Sequence, residues 1–197
     1  SAQASYVAAE EMAITAVRAL PNDTEAMRDL SIVYGMRGTF MAEWGRLDSA
    51  LAVYGRGMKI AEDLAAADPD NVLQQADVAA GHYEIGTMLL NGQRLLAARD
   101  RFREAAARYA RLAAADSANM EHALNVARSY RQTGEACMAL ARTTNSASER
   151  SRWRAEAADW LNRGLARFQS MSKAGVLQGD DTTAPAEIRQ QLAALRR

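Results

Sequence analysis

The chain repeats itself at an interval of 48 residues. Residues 29–71 laid without a gap over residues 77–119 match in register. Gly38-Thr39 falls on Gly86-Thr87, Arg46-Leu47 on Arg94-Leu95, Ala50 on Ala98 and Tyr54 on Phe102. The run Leu64-Ala65-Ala66-Ala67-Asp68 falls on Leu112-Ala113-Ala114-Ala115-Asp116, and Asn71 on Asn119. Run backwards, the same offset places Tyr6 on Tyr54 and Pro21 on Pro69; run forwards, it places Tyr130 on His82 and Gly134 on Gly86. A fixed period of this size marks an array of stacked supersecondary units, each too small to bury its own apolar face alone. It therefore constrains the fold before any local reading. It also constrains function, because a repeat array is above all a surface.

The units are helical. Ala, Leu, Arg, Glu and Met dominate, Pro occurs three times, and β-branched residues are sparse, so propensity leans all-α. Asp23-Thr24 offers an N-cap, and Leu30, Val33, Tyr34, Met41 and Trp44 then recur at helical spacing. A turn at Gly45-Arg46 separates this helix from a second over about 47–67, with Ala50, Leu51, Tyr54, Met58, Ala61 and Leu64 on one stripe. Asp68-Pro69-Asp70-Asn71 breaks the chain and supplies the next cap. The spacing predicts further helices over about 72–90 and 95–115, with a turn at Asn91-Gly92, and over about 120–142 and 148–171. Aligning Leu161 with Phe102 gives an offset of 59, so the last pair carries 59 − 48 = 11 inserted residues between its helices. The resulting division is an orphan second-type helix at 2–20, repeat 1 at 24–68, repeat 2 at 72–116, repeat 3 at 120–171 with an insertion at 143–153, and a C-terminal capping helix at 184–196. Pro185 suits a first helical turn, and Ile188, Leu192 and Leu195 form that helix's stripe. The chain opens in the middle of a repeat, and the expectation is a piece of a longer protein.

Charge and cysteine content narrow the function. Lys plus Arg and Asp plus Glu balance at 24 each, so no net field steers the chain to nucleic acid or an anionic membrane. No apolar run approaches the roughly 20 residues that span a bilayer. The single cysteine, Cys137, excludes an intramolecular disulfide and fits a reducing, cytoplasmic setting. Cys137 falls on Met41 and Leu89, which predicts a packed side chain and not a nucleophile. His82 and His122 have no Cys or carboxylate at ligand spacing, so no metal and no cofactor is expected, and His82 reads as a core aromatic substitute. Arg99, Arg101, Arg103, Arg108 and Arg111 crowd one helix but are interleaved with Asp100 and Glu104, which favours a salt-bridged solvent face. The Met and Trp residues read as members of apolar stripes. No set of titratable groups converges at catalytic spacing, so the expectation is a non-enzyme.

The helix pairs resemble the tetratricopeptide repeat. The residues carrying the resemblance are the first-helix aromatics Tyr34, His82 and Tyr130 with Gly38, Gly86 and Gly134, and the second-helix residues Ala50 and Ala98, Tyr54 and Phe102, Gly57 and Ala105. That family's repeat has 34 residues; the excess of 48 − 34 = 14 corresponds to about two extra turns on each helix, giving helices of about 20 residues and about 30 Å. The terminal proline is displaced to Pro69, and Arg37 and Thr133 replace the usual Leu. The long-period style, with residues 64–71 reading LAAADPDN and the segment 160–193, is similar to the C-terminal repeats of bacterial eukaryotic-like serine/threonine protein kinases. None of the kinase signature motifs is present.

The resemblance implies a right-handed α-solenoid of antiparallel helix pairs whose first helices line a concave face. That face would carry Ile32, Gly35, Thr39, Ala42 and Glu43, then Ala80, Tyr83, Thr87, Leu90 and Asn91, then Arg128, Arg131, Glu135, Met138 and Ala139. The partner-binding candidates are Thr39, Glu43, Tyr83, Thr87, Asn91, Arg128, Arg131 and Glu135, with a protein or peptide as the ligand. The same face could equally be solvated or filled by the C-terminal helix. Gly35 and Thr39 stand where the family's carboxylate clamp needs a Lys and an Asn, so capture of a C-terminal carboxylate is not expected. The resemblance implies a non-catalytic interaction or scaffold module of a bacterial signalling protein such as a kinase. The alternative is a structural module that forms a homodimer through the exposed face of its first helix.

Overall fold

The structure, a computed structural model, describes residues 2–196 and is all-helical, with no strand among those residues. The helices are α1 (Ala2–Ala19), α2 (Thr24–Glu43), α3 (Leu47–Ala67), α4 (Val72–Asn91), α5 (Leu95–Ala115), α6 (Met120–Thr143), α7 (Ala147–Lys173) and α8 (Ala184–Leu195), with a short 3-10 turn at Gly179–Thr182. The chain divides into two compact units between Met88 and Leu89, in the last turn of α4.

Local chemistry sets the helix ends. The Asp23 carboxylate accepts hydrogen bonds from the backbone N–H groups of Glu25 (2.9 Å) and Ala26 (3.2 Å), two of the donors a helix start leaves without a partner. Asn71 accepts from Gln74 N–H, Asn119 from His122 N–H and Ser146 from Glu149 N–H in the same manner. Gly45, at φ +72°, turns the chain from α2 into α3. One period later that conformation falls on Gln93, at φ +59°, and not on the neighbouring Gly92; α4 runs through Asn91, one residue beyond its expected end and into the expected turn. Most of the inserted residues are helical. They belong to the first turns of α7, which reaches 27 residues and buries Trp153.

In the first unit α2 and α3 pack closely because small residues face each other. A Cβ on Gly57 would meet the Ser31 carbonyl oxygen at 2.5 Å, and one on Gly38 would meet the Tyr54 Cβ at 2.8 Å. The Ser31 hydroxyl donates to the Gly57 carbonyl across the same contact (2.9 Å). Leu30, Tyr34 and Val53 form the core there, with Ala13, Ile14 and Val17 of α1 against them. The polar departure at Arg37 is accommodated by an ion pair with Glu10 of α1, a buried carboxylate. Trp44 does not join the apolar stripe expected of it. Because α2 closes at Glu43, Trp44 is a cap residue, and its ring rests on Phe40 (centroids 5.9 Å apart) with 73% of its surface exposed.

The second unit is more completely packed. Leu95, Cys137, Leu140, Ala141, Trp153 and Ala157 make one cluster, and Ala127, Leu161, Phe168, Met171, Ala184 and Ile188 make another. Full burial of a Leu, Ile or Phe side chain contributes roughly 1.5–3 kcal/mol of transfer free energy. The other polar departure, Thr133, is fully buried and donates its hydroxyl to the Ser129 carbonyl (2.7 Å), so the hydroxyl is satisfied without a side-chain partner.

Candidate interaction groove

The helices α2, α3 and α4 of the first unit enclose an open groove of about 480 Å³. One wall is α2. Its residues Ile32, Met36 and Phe40 line the groove at four-residue spacing, so they stand one above another on a single face. Ile32 and Met36 are 40% and 52% exposed, so two large apolar side chains stand open to solvent side by side along the groove. Tyr6 of α1 closes one edge, its ring 5.1 Å from that of Phe40. Tyr54 and Met58 of α3 lie between the walls, and Asp77, Ala80, Gly81 and Glu84 of α4 form the far side.

The groove is acidic. Glu43, Asp77 and Glu84 line it, and no basic side chain is among its lining residues. Asp77 is engaged by Arg28, whose Nε and Nη2 donate at 2.5 and 3.0 Å. That hydrogen bond, and the charge behind it, raise the Arg28 pKa further. Glu84 has no ion-pair or hydrogen-bond partner among the described residues, and burial pushes its carboxyl above the ordinary range.

The sequence-predicted face divides between the two units. Ile32, Gly35, Thr39, Glu43 and Ala80 line this groove. Tyr83 is half-buried and its carbonyl accepts from the Thr87 hydroxyl (3.1 Å), while Asn91 is exposed at the end of α4. In the second unit Arg128, Arg131 and Glu135 face the chain's own C-terminal segment. Arg128 forks onto Asp181 (2.5 and 3.2 Å), Arg131 donates to Glu187 (2.6 Å), and the Gln191 side-chain amide donates to Glu135 (2.8 Å). Glu187 is held below the usual carboxylate range by the Thr183 hydroxyl and then by Arg131. Filling by the C-terminal helix, one of the alternatives open at the level of sequence, therefore describes this part of the face. The other groove residues were not predicted, among them Tyr6, Met36, Phe40 and Glu84. The spacing of Ile32, Met36, Phe40 and Trp44 was a readable signal, but a helical stripe normally signals core.

Elsewhere the chemistry is structural. Cys137 is fully buried, and burial, with Glu156 nearby, pushes its thiol up to about 12. Arg99 and Arg103 lie over the rings of Trp153 and Trp160 at 5.0 and 5.9 Å, and Arg99 also pairs with Asp100 and Glu156. Part of the basic face of α5 is thus covered by α7. A smaller recess of about 330 Å³ in the second unit is lined by Arg142, Arg150 and Arg154 beside Met138 and Leu195; Arg150 donates to the Thr144 carbonyl (3.0 Å). Among the described residues no group of three or more His, Cys, Asp or Glu side chains is placed to hold a metal, and no helix is long and apolar enough to cross a membrane. No protein-family model matches the chain, and no curated protein matches it in sequence.

Proposed function

We propose that this chain is a non-catalytic protein-interaction module built from tetratricopeptide-like helix pairs in a right-handed solenoid, and that the groove between α2 and α4 is where it takes a protein or peptide. The observation that carries the reading is the apolar row Ile32–Met36–Phe40, its first two residues exposed and the third half-buried, lining an open groove of about 480 Å³. Exposed apolar residues contiguous in a concave site gain free energy only when a partner covers them. The resemblance to the repeats of bacterial serine/threonine kinases supports reading it as a module of a signalling protein, where it would recruit a partner. The test is an unbiased peptide-display selection on the purified chain. We expect recovered sequences whose binding is lost in Met36→Asp. Failure to recover any ligand, or recovery of ligands indifferent to Met36→Asp and Phe40→Asp, would sink the reading.

A structural role is favoured by a separate observation. Met12 on α1 and Leu20 just past its end are 74% and 55% exposed, apolar surface that a second copy could cover. Light scattering over a concentration series decides it: a concentration-independent monomer removes this reading and leaves the groove.

A further inference from the structure

The groove has a preferred charge for its ligand, and the chain's own second unit shows how such a face is covered. The period of 48 places Arg128, Arg131 and Glu135 at the same repeat positions as Ile32, Gly35 and Thr39, two periods earlier. In the second unit the long side chains bridge to an acidic segment. Arg128 and Arg131 take Asp181 and Glu187, and the rungs Arg131–Glu187 and Glu135–Gln191 match a four-residue step on α6 to a four-residue step on α8. Apolar residues of α8 complete the cover, Ile188 being fully buried. The arginines of this face are therefore covered by a segment that brings one carboxylate from the 3-10 turn, Asp181, and one from the amphipathic helix α8, Glu187, with one rung per turn along α8.

The first unit presents the converse. Gly35 and Thr39 are too short to bridge the gap, so the groove stays open. Its apolar row advances one residue per turn from Ile32 through Met36 to Phe40, with Trp44 stacked beyond. The three rungs Ile32, Met36 and Phe40 span about 12 Å at 1.5 Å per residue, and a helix that sets one side chain against each rung needs about three turns. Opposite the row stand the carboxylates of α4, of which Asp77 already has a cation and Glu84 has none among the described residues. Burial has raised the Glu84 pKa, the mark of a carboxylate whose charge is poorly solvated where it stands. A cation brought to it would gain interaction at little further desolvation cost, whereas an anionic terminus would be repelled.

We infer that the groove between α2 and α4 receives a basic amphipathic helix of about three turns, whose apolar face covers Ile32, Met36 and Phe40 and whose Lys or Arg pairs with Glu84. This inference rests on the interaction reading above and deepens it by naming the partner's chemistry.

The test uses two synthetic helical peptides of about 14 residues with the same leucine stripe, one carrying Lys and Arg beside the stripe and the other Glu at the same places. Binding to the full chain is followed by fluorescence anisotropy at low salt. We expect the basic peptide to bind and the acidic one to bind at least tenfold more weakly. Glu84→Gln should weaken the basic peptide roughly tenfold. Glu84→Lys should bring the acidic peptide to equal or better binding, and Met36→Asp should abolish both. Circular dichroism of each variant separates lost binding from lost fold. Equal binding of the two peptides, or no response to Glu84→Lys, overturns the inference. If the display selection still yields ligands sensitive to Met36→Asp, the interaction reading survives that failure. Ligands of acidic or extended character from that selection, or a dimer that forms through Met36, would likewise overturn the basic-helix assignment by naming another occupant.

Discussion

Gly35 and Arg131 stand at the same place in the repeat, 131 − 35 = 96 residues or two periods apart, and the two regions around them have opposite fates. Around Arg131 the face of α6 is closed by the C-terminal segment, and α6 buries ten residues. Around Gly35 the face of α2 is open, and α2 buries only Leu30, Tyr34 and Gly38. Both helices follow the same periodic pattern, so the repeat alone does not explain the difference. Side-chain length at three positions and the presence of a covering segment explain the fate of that face, while most of the burial along α6 is against α5 and α7. A repeat array can thus turn one unit's surface into core and keep another's for a partner without changing the backbone plan.

The largest expected effect tests whether the closed region is true core and the open one is not. Phe168→Ala, at a fully buried position beneath α8, should cost about 3–5 kcal/mol in urea unfolding. Phe40→Ala, which loses the ring contacts with Tyr6 and Trp44 and only half-buried area, should cost no more than about 1.5 kcal/mol. Similar losses at both sites would break the comparison. Next comes the close approach of α2 and α3. Gly57→Ala should destabilise by about 1–3 kcal/mol, because the Cβ would press on the Ser31 carbonyl oxygen, backbone that cannot step aside.

A third variant converts one region toward the other. Gly35→Arg copies the residue at the closed register; its Cβ would sit 3.6 Å from the Tyr54 ring, an ordinary contact, so the fold should survive. We expect it to weaken the basic probe peptide roughly tenfold by placing a cation in the acidic groove, measured by anisotropy. Smaller again is the turn pair. Gln93 adopts the left-handed conformation that Gly45 adopts one period earlier, so Gln93→Gly should stabilise by about 0.5–1 kcal/mol in the same unfolding assay, while Gly45→Ala should destabilise.

The smallest effect is a pH dependence. Burial raises the folded-state pKa of Glu84 above its unfolded value, so the ionised carboxylate opposes folding once the pH exceeds the ordinary carboxylate range. Glu84→Gln should therefore raise the urea midpoint at pH 7, and the gain should fade as the pH falls below that range. A loss of stability at pH 7 would show that the carboxylate has a stabilising partner in solution.

Much of the local architecture was legible in the sequence because its causes are local. The period, the Asx caps at Asp23, Asn71 and Asn119, and the glycine turn at Gly45 act within a few residues. Burial of Cys137 and His82 followed from their register among apolar positions. The site was less legible. Thr39 and Glu43 were reached through the resemblance, but Glu84 and Met36 were not, and Arg128, Arg131 and Glu135 were indistinguishable in sequence from an exposed binding face. Trp44 misled for the same reason, since helical spacing predicts a shared face and says nothing about what lies against it.

What the sequence determined by itself is the repeat, the helical state of its units and which residues share each helix face, all consequences of short-range sterics, capping and apolar spacing. What only the tertiary structure decided is which faces are covered. Whether Arg131 meets Glu187, or Met36 stays half-exposed in a groove, depends on segments distant in sequence, 56 residues apart for the Arg131–Glu187 pair, and no local rule carries that information.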